Sequence, residues 1–143
     1  MSGLKLEREF TADPVTVFDF VTKAENLGKW WGPEGMSLMD AALDFTKPGP
    51  WKSTLVNAEG SRYKVSGVVT AVEPEKSVAF TWGWHDEEDA RGHESNVRFE
   101  VKSNGAGGTI FSLIHEGLAD EPSAQNHSEG WTSTLKKLER MAN

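Results

Sequence analysis

Large apolar residues alternate with small or polar ones through most of residues 36–115. In residues 77–84, for example, the even positions are valine, phenylalanine and two tryptophans, and the odd positions between them are small or polar. Alternation with a period of two is typical of a β-strand that buries one face. Six such segments are separated by turn sequences such as KPGP, NAEG, EPEK and SNGAGG. They predict strands near residues 38–45, 51–57, 62–72, 77–84, 95–102 and 108–115.

The first 30 residues predict one more strand and two helices. Residues 3–11 alternate in the same way and indicate a strand. Asp13 is a good N-cap and Pro14 suits the first turn of a helix. The helical spacing of the apolar residues that follow predicts a helix over residues 14–23. A second, short helix is expected to reach Trp30.

The C-terminal segment carries a different period. Apolar residues recur every three or four positions from Ala124 to Met141, which predicts an amphipathic helix over residues 122–141. Gly130 interrupts this helix at a cost of about 1 kcal/mol relative to alanine and indicates close approach to another element. Together the two periods predict a single α+β domain, residues 1–143, in which this helix covers the apolar face of an antiparallel sheet.

Composition and charge exclude several classes of function. The net charge of −7 argues against binding to nucleic-acid phosphates, which requires a basic surface. The lack of cysteine excludes disulfides, thiol catalysis and thiolate metal sites. Charges begin at the fifth residue and no apolar run approaches membrane length, so we expect a cytoplasmic protein without a signal peptide or membrane span. Six tryptophans and seven phenylalanines are the feature that a function must explain.

Five stretches of the sequence, in this order, resemble the START-like helix-grip superfamily (the Bet v-type fold), and within it the branch named after the C-terminal domain of the activator of the Hsp90 ATPase. They are DPVTVFDFVTKAENLGKWWGPEGM after the first strand, KPGPW at 47–51, GVVTAVEPEKSVAFTW at 67–82, GTIFSLIHEGL at 108–118 and HSEGWTSTLKKLERM at 127–141. Two features depart from the pattern of the branch. Gly49-Pro50 replaces its usual Gly-Gly, and residues 85–94 form an acidic, insertion-like loop.

The resemblance implies a strongly curved sheet that wraps around the long helix and leaves a cavity between them. It also implies a choice of three functions for such a domain. Members of the superfamily bind small apolar ligands, some of them catalyse cyclisation or dehydration, and the namesake of the branch binds a chaperone. The resemblance does not choose among these functions.

The aromatic face of the sheet and the apolar face of the long helix point toward each other and should share one interior. The candidate ligand-binding residues are Trp82, Trp84, Phe99, Phe111, His115, His127 and Trp131. Rigid rings leave voids, and ligand sites are mostly apolar with a few polar groups. A closed aromatic core is the alternative interpretation. We expect a small hydrophobic or aromatic molecule to bind here, without a cofactor and without covalent chemistry.

His127 and His115 are the candidate polar groups of this interior. His127 lies four residues before Trp131, on the same face of the helix. With an unperturbed pKa of about 6.5, a histidine can carry protons, hydrogen-bond a ligand or serve only as a satisfied polar group of the structure. If one of these histidines carries protons, the sequence predicts a cyclase- or hydratase-like enzyme that uses His127 or His115 as its proton carrier. A chaperone-interacting stress-response protein is a further alternative.

Other chemistries have weaker support in the sequence. The acidic stretch of residues 85–94 has neither EF-hand spacing nor an H-E-x-x-H motif, so we expect a solvated hairpin tip and no metal site. No serine lies in a G-x-S-x-G motif, which leaves nucleophilic catalysis unsupported. The adjacent Trp30 and Trp31 are expected to separate, with one ring in the core and the other at the rim of the cavity.

Overall fold

The computed structural model describes residues 2–143, which form seven strands and three helices. In chain order these are β1 (Ser2–Phe10), α1 (Pro14–Thr22), α2 (Ala24–Trp30), β2 (Ser37–Ala42), β3 (Gly49–Val56), β4 (Arg62–Glu73), β5 (Ser77–His85), β6 (Arg91–Ser103), β7 (Thr109–Leu118) and α3 (Glu121–Ala142). Each element predicted from the sequence is present. The largest differences are that β6 begins at Arg91 and β7 continues to Leu118, so both strands are longer than predicted, and that β2 ends at Ala42, three residues early.

All seven strands form one antiparallel sheet in the order β1-β7-β6-β5-β4-β3-β2. Strands β2 to β7 follow one another as a meander, and β1 pairs with β7. Register shifts interrupt the pairs β1-β7, β2-β3, β4-β5 and β5-β6, and such irregularities bend a strand and increase its twist. The curved sheet wraps around α3. The predicted α+β helix-grip fold is therefore confirmed.

Side-chain caps define where α1 and α3 begin. Asp13 Oδ1 accepts a hydrogen bond from the Thr16 N–H at 2.8 Å, and Asp120 Oδ1 accepts one from the Ser123 N–H at 2.9 Å. Both helices also have a proline in the first turn. Caps of this kind stabilise a helix by about 1 kcal/mol. The predicted starts of both helices are confirmed.

The long helix α3 lies across the concave face of the sheet. Trp131, Leu135 and Leu138 form its buried side, as the three- and four-residue spacing predicted. Arg8 of β1 donates from Nε to Glu139 Oε1 at 2.8 Å, which ties the helix to the edge of the sheet. Among the described residues, neither α3 nor either shorter helix has the length and apolar composition needed to cross a bilayer.

The adjacent tryptophans Trp30 and Trp31 are both buried, with exposed fractions of 0% and 3%. Trp30 ends α2, whereas the backbone of Trp31 is extended, so the two rings diverge. Trp30 Nε1 donates to the Phe20 carbonyl at 2.8 Å, and Trp31 Nε1 donates to Ser53 Oγ at 2.9 Å. Because both N–H groups have partners inside the protein, both rings are buried without an unsatisfied donor. The two rings separate as predicted, with Trp30 in the core, but Trp31 is not exposed at a rim: it is buried and lines the cavity described below.

The acidic stretch of residues 85–94 contains a shorter loop than the sequence predicted. β5 ends at His85, β6 begins at Arg91, and these two residues pair. Asp86 Oδ1 accepts hydrogen bonds from two backbone N–H groups of the turn, both at 2.9 Å. The acidic side chains therefore build a tight turn between paired strands. Within residues 2–143, no three His, Asp or Glu side chains converge as the ligands of a metal ion would.

Candidate functional site

A cavity of about 380 Å³ lies between the sheet, α3 and the segment that links α2 to β2, and it opens to solvent. The sheet and its β3–β4 turn contribute Leu55, Asn57, Tyr63, Trp82 and Trp84. The helix α3 contributes His127, Gly130, Trp131 and Thr134. The linking segment contributes Trp31, Gly32, Pro33 and Met36. Apolar groups dominate this lining, and the volume is in the range of small-molecule sites, roughly 300–1,000 Å³.

Three indole rings form one wall of the cavity. Trp82 and Trp84 are two residues apart on β5 and therefore lie on the same face of the sheet. Their ring centroids are 5.5 Å apart in an edge-to-face arrangement. Trp131 of α3 packs against Trp82 with a centroid distance of 5.1 Å. Aromatic pairs favour these tilted and edge-to-face geometries, so this wall is held in place by its own contacts.

The segment of residues 31–36 closes one side of the cavity and is tied to α3. The Glu34 N–H donates to Ser133 Oγ at 2.9 Å, and the Glu34 carboxylate pairs with Arg140. Lys137 Nζ donates to a backbone carbonyl of the segment at 3.3 Å. These contacts come from successive turns of α3. They fix the distance between the helix and this side of the cavity.

Two glycines shape the cavity. Gly32 has a φ of +88°, and a Cβ at this position would lie 2.5 Å from Leu55 Cδ2, so a side chain would displace Leu55. Gly130 of α3 has no neighbouring atom within 4 Å of the position that a Cβ would take. The prediction that Gly130 marks close approach to another element is wrong. Gly130 lines the cavity, and a longer side chain there would occupy part of its volume.

His127 connects α3 to β5 at the cavity wall. Its Nδ1 lies 2.7 Å from the Ser123 carbonyl, which can only accept, so Nδ1 carries the proton. Its Nε2 accepts a hydrogen bond from Trp84 Nε1 at 3.0 Å. Both ring nitrogens of the neutral imidazole are therefore used, one within α3 and one across to the sheet. The predicted inward orientation of His127 agrees with its place in the wall.

His115 is completely buried and does not line this cavity. Trp131 Nε1 can only donate, so His115 Nδ1 accepts this bond at 3.1 Å, and Nε2 carries the proton toward Ser95 Oγ at 2.7 Å. Burial, with a smaller contribution from the nearby His127, lowers the pKa of His115 to about 3. A proton carrier at neutral pH needs a pKa near that pH. His115 is therefore a neutral structural group.

The structure separates the seven candidate residues into two groups. Trp82, Trp84, His127 and Trp131 line the cavity. Phe99, Phe111 and His115 are buried behind it, with exposed fractions of 1% or less. Phe99 packs against Trp30 at 5.9 Å and against Phe111 at 5.5 Å between ring centroids. The packed-core interpretation describes these three residues, and a ligand contact for the other four stays a prediction.

Sequence reasoning missed the part of the wall that lies outside β5 and α3. Leu55 and Tyr63 pair directly across β3 and β4. Both belong to the inward face that alternation predicts for these strands. The missing information was which strands are neighbours and in which register they pair. The unusual composition of the stretch WWGPEGM was a signal for the side formed by residues 31–36.

Trp82 has a buried donor without a protein partner. Within residues 2–143, its Nε1 is the buried side-chain polar atom that makes no hydrogen bond. Leaving such a donor unpaired costs roughly 1–3 kcal/mol. Trp82 also lines a smaller cavity of about 220 Å³, beside His93, Ser123 and His127. Because the atom is also closed off from solvent, an acceptor of a bound molecule would complete its hydrogen bonding only after a small movement of the side chains around it.

One family model matches nearly the whole chain. The model described as "Activator of Hsp90 ATPase homolog 1-like protein" matches residues 11–143. This range contains both short helices, β2 to β7 and α3. It therefore includes every residue that lines the cavity. A comparison with curated proteins found no significant match.

Solved structures of bacterial proteins share the fold. The crystal structure of the AHSA1 protein from Silicibacter pomeroyi is 48% identical to this chain, with a TM-score of 0.94 over 98% of this chain and 96% of that one. A protein from Chromobacterium violaceum is 21% identical, with a TM-score of 0.86 over 99% and 98% of the two chains. A protein from Mycobacterium smegmatis is 20% identical, with a TM-score of 0.81 over 99% and 90%. The last two likenesses show the fold alone.

Proposed function

The chain belongs to the Activator of Hsp90 ATPase homolog 1-like family, and we propose that it binds a small, uncharged and largely aromatic molecule between the sheet and α3. The observation that carries this proposal is the open cavity of about 380 Å³ with its wall of indole rings. A helix that only closed the core would place a side chain against this wall. Instead α3 has Gly130 at this point, with free space around it.

The lining supports an uncharged, flat ligand. The wall residues found within 2–143 include no Lys, Arg, Asp or Glu, and burying an unpaired charge in such surroundings is strongly unfavourable. The three indole rings offer faces and edges against which another ring can pack. Asn57, Tyr63 and Thr134 add a few polar groups that can orient a ligand.

Trp82 supports a ligand that carries a hydrogen-bond acceptor. Its buried indole N–H has no hydrogen-bond partner among residues 2–143, and its ring lies in the cavity wall. A carbonyl, ether or ring nitrogen on a ligand that displaces the side chains covering this donor would accept from it and remove the cost of leaving it unpaired. Among flat aromatic compounds, we therefore expect those with an acceptor to bind more tightly than the plain hydrocarbons.

His127 distinguishes simple binding from catalysis. Its Nε2 already accepts from Trp84, and its Nδ1–H is held by the Ser123 carbonyl. A cyclase or hydratase would need to break the bond to Trp84 before His127 could take a proton. This arrangement supports binding without chemistry in the cavity. A cytoplasmic location and a chaperone-interacting role, which the family description suggests, are separate predictions that cell fractionation and co-purification with Hsp90 would test.

Titration with a panel of flat aromatic compounds tests the proposal. Binding is measured by the change in tryptophan fluorescence and by the rise in Tm. Gly130→Leu places a side chain in the cavity and should weaken binding about tenfold or more, which corresponds to about 1.4 kcal/mol. Gly28→Leu is the matched control. Gly28 lies in α2, has no neighbouring atom within 4 Å of the position that a Cβ would take, and does not line the cavity. Equal affinity in the two variants would contradict the proposal, and so would the lack of saturable binding across the panel.

A further inference from the structure

A serine, a histidine and an aspartate lie in line on the outer face of the sheet. Ser66 is in β4, His85 ends β5, and Asp89 is in the turn that follows. Ser66 Oγ lies 2.6 Å from His85 Nε2, and His85 Nδ1 lies 2.9 Å from Asp89 Oδ1. This face points away from α3 and from the aromatic cavity. The three residues therefore form a cluster that the ligand-binding proposal does not use.

The hydrogen-bond partners decide where the proton of His85 lies. The Asp89 carboxylate accepts only, and the Asp89 carbonyl is also 3.2 Å from Nδ1, so Nδ1 carries the proton. His85 Nε2 is then free of a proton and accepts from the Ser66 hydroxyl. A hydrogen bond from Lys64 lowers the pKa of Asp89, and His85 lowers it further, so this carboxylate is ionised at neutral pH. Nucleophile, base and orienting carboxylate thus follow the order found in serine hydrolases.

Two cationic side chains lie beside Ser66. Lys52 of β3 is directly opposite Ser66 in the register of the sheet, and its side chain therefore lies on the same face. Arg91 donates from Nη2 and Nε to the Ser66 carbonyl at 2.9 and 3.3 Å. Gly83 faces Ser66 from β5, and a Cβ there would lie 2.6 Å from Arg91 Cζ. The glycine therefore admits the guanidinium beside the serine. Arg91 Nη1 also pairs with Glu94 Oε1 at 2.9 Å, which leaves Lys52 to stabilise negative charge on an acyl oxygen.

A surface cavity adjoins this cluster. Its volume is about 360 Å³, and its lining includes Ser66 and His85 together with Lys52, Ala42, Pro50 and Trp51. Ser66 is partly exposed, so its hydroxyl can be reached from solvent. The apolar members of the lining offer a surface for a short acyl or aryl group next to the hydroxyl. The cavity is too small for a polymer, which limits the substrate to a small molecule.

We propose that Ser66, His85 and Asp89 form a second site, which hydrolyses small acyl esters. Ser66 Oγ attacks the carbonyl carbon while its proton moves to His85 Nε2, and Lys52 stabilises the resulting oxyanion. The C–O bond to the alcohol breaks, and His85 gives its proton to the departing oxygen. A water molecule, deprotonated by His85, then attacks the acyl carbon. The bond between that carbon and Ser66 Oγ breaks, His85 returns the proton to Oγ, and the carboxylic acid leaves. Asp89 is a positioning residue that holds the imidazole in the required tautomer.

Labelling with a fluorophosphonate probe tests this site, because the serine oxygen displaces fluoride and keeps the phosphonyl group. Peptide mass spectrometry should find the adduct on Ser66. Ser66→Ala should remove it, and His85→Gln should slow labelling about 100-fold or more, whereas Ser61→Ala should leave it unchanged. Hydrolysis of p-nitrophenyl acetate should fall in parallel. The lack of an adduct on Ser66, under conditions that fully label a known serine hydrolase, would overturn the proposal, and so would equal labelling of the His85→Gln variant.

A cysteine variant separates activation from any loss of structure. The natural chain has no cysteine, so Ser66→Cys introduces a single thiol beside His85. Alkylation by iodoacetamide at neutral pH should be about tenfold faster or more than in Ser61→Cys, whose thiol lies in an exposed turn, because a neighbouring imidazole favours the thiolate. His85→Gln in the Ser66→Cys background should remove the difference. Equal alkylation rates at the two positions would show that His85 does not activate position 66.

Discussion

Two serine–histidine pairs lie on opposite faces of the same sheet. On the inner face Ser95 Oγ lies 2.7 Å from His115 Nε2, and on the outer face Ser66 Oγ lies 2.6 Å from His85 Nε2. These contacts have nearly the same length. Their proton positions are opposite, because the far nitrogen of each ring meets a different partner.

The partner of Nδ1 decides whether the serine accepts or donates. Trp131 donates to Nδ1 of His115, so the proton lies on Nε2 and points at Ser95. The Asp89 carboxylate accepts from Nδ1 of His85, so Nε2 accepts from Ser66. A base must have a free lone pair toward the hydroxyl that it deprotonates. The inner pair therefore has a structural role, and the outer pair has the arrangement of a nucleophile and its base.

Removing the Asp89 carboxylate is the test of this comparison for which we expect the largest effect. Asp89→Asn keeps the size of the side chain but removes the charge that orients His85. Fluorophosphonate labelling of Ser66 should slow by about 10²–10⁴-fold, because the imidazole is no longer held in one tautomer. Asp86→Asn is the control, since an Asn oxygen can still accept the two N–H bonds of the same turn. A similar loss in both variants would indicate damage to the turn instead.

Removing each histidine should affect stability very differently. His115→Leu leaves the Trp131 N–H buried without a partner, at roughly 1–3 kcal/mol. It also removes the donor to Ser95 Oγ, which keeps only its long contact with the Trp82 carbonyl at 3.5 Å, at a further cost of about 1–2 kcal/mol. We expect the free energy of unfolding to fall by about 2–5 kcal/mol. His85→Leu leaves groups that water can reach and should cost about 1 kcal/mol. Urea unfolding monitored by circular dichroism measures both values, and equal losses would argue against the structural role assigned to His115.

The inner pair should also make stability depend on pH. Burial lowers the pKa of His115 from 6.5 to about 3, so the unfolded chain binds a proton that the folded chain excludes. This stabilisation is complete above the unfolded pKa of 6.5 and is lost as the pH falls toward 3. Between neutral pH and about pH 5 the loss should be about 2 kcal/mol. Urea unfolding at several pH values measures this loss in the natural chain and in His115→Gln. The loss in His115→Gln should be smaller by about 2 kcal/mol, and an unchanged pH dependence would contradict the assignment.

A third histidine, His127, provides the test with the smallest expected effect. His127 has the tautomer of His85, but its Nε2 accepts from the Trp84 indole instead of a hydroxyl. A double-mutant cycle with Trp84→Phe and His127→Leu should give a coupling energy of about 1 kcal/mol in urea unfolding. Additive effects of the two substitutions would mean that this bond does not hold the cavity wall to α3.

The pattern of the sequence determined which face of each strand is apolar, and much of the cavity wall with it. The period of two placed Trp82 and Trp84 on the inward face of β5, and the helical spacing placed His127 and Trp131 on the inward side of α3. Asp13 predicted the start of α1. These features depend on neighbours within a few residues of one another, and such neighbours interact in the same way in any fold that keeps the element.

The tertiary structure decided which inward residues line a cavity and which fill the core. Phe99 and Phe111 share the inward face with Trp82, but Trp30 packs against Phe99 and closes that end of the interior. Gly130 leaves the other end open. Both outcomes depend on where α2 and α3 lie on the curved sheet, and a periodic pattern contains no information on that position.

The outer cluster was also decided by tertiary structure. Ser66 and His85 are 19 residues apart and lie in no local motif, so a search for a G-x-S-x-G turn had no signal to find. The alternation placed Ser66 on the outward face of β4. It did not determine that Ser66 pairs with Gly83, because a period of two fixes the side of a strand and leaves the register between strands open. Register is set by the turns and by the packing of the whole sheet, and here it brings a serine, an imidazole and a carboxylate into line.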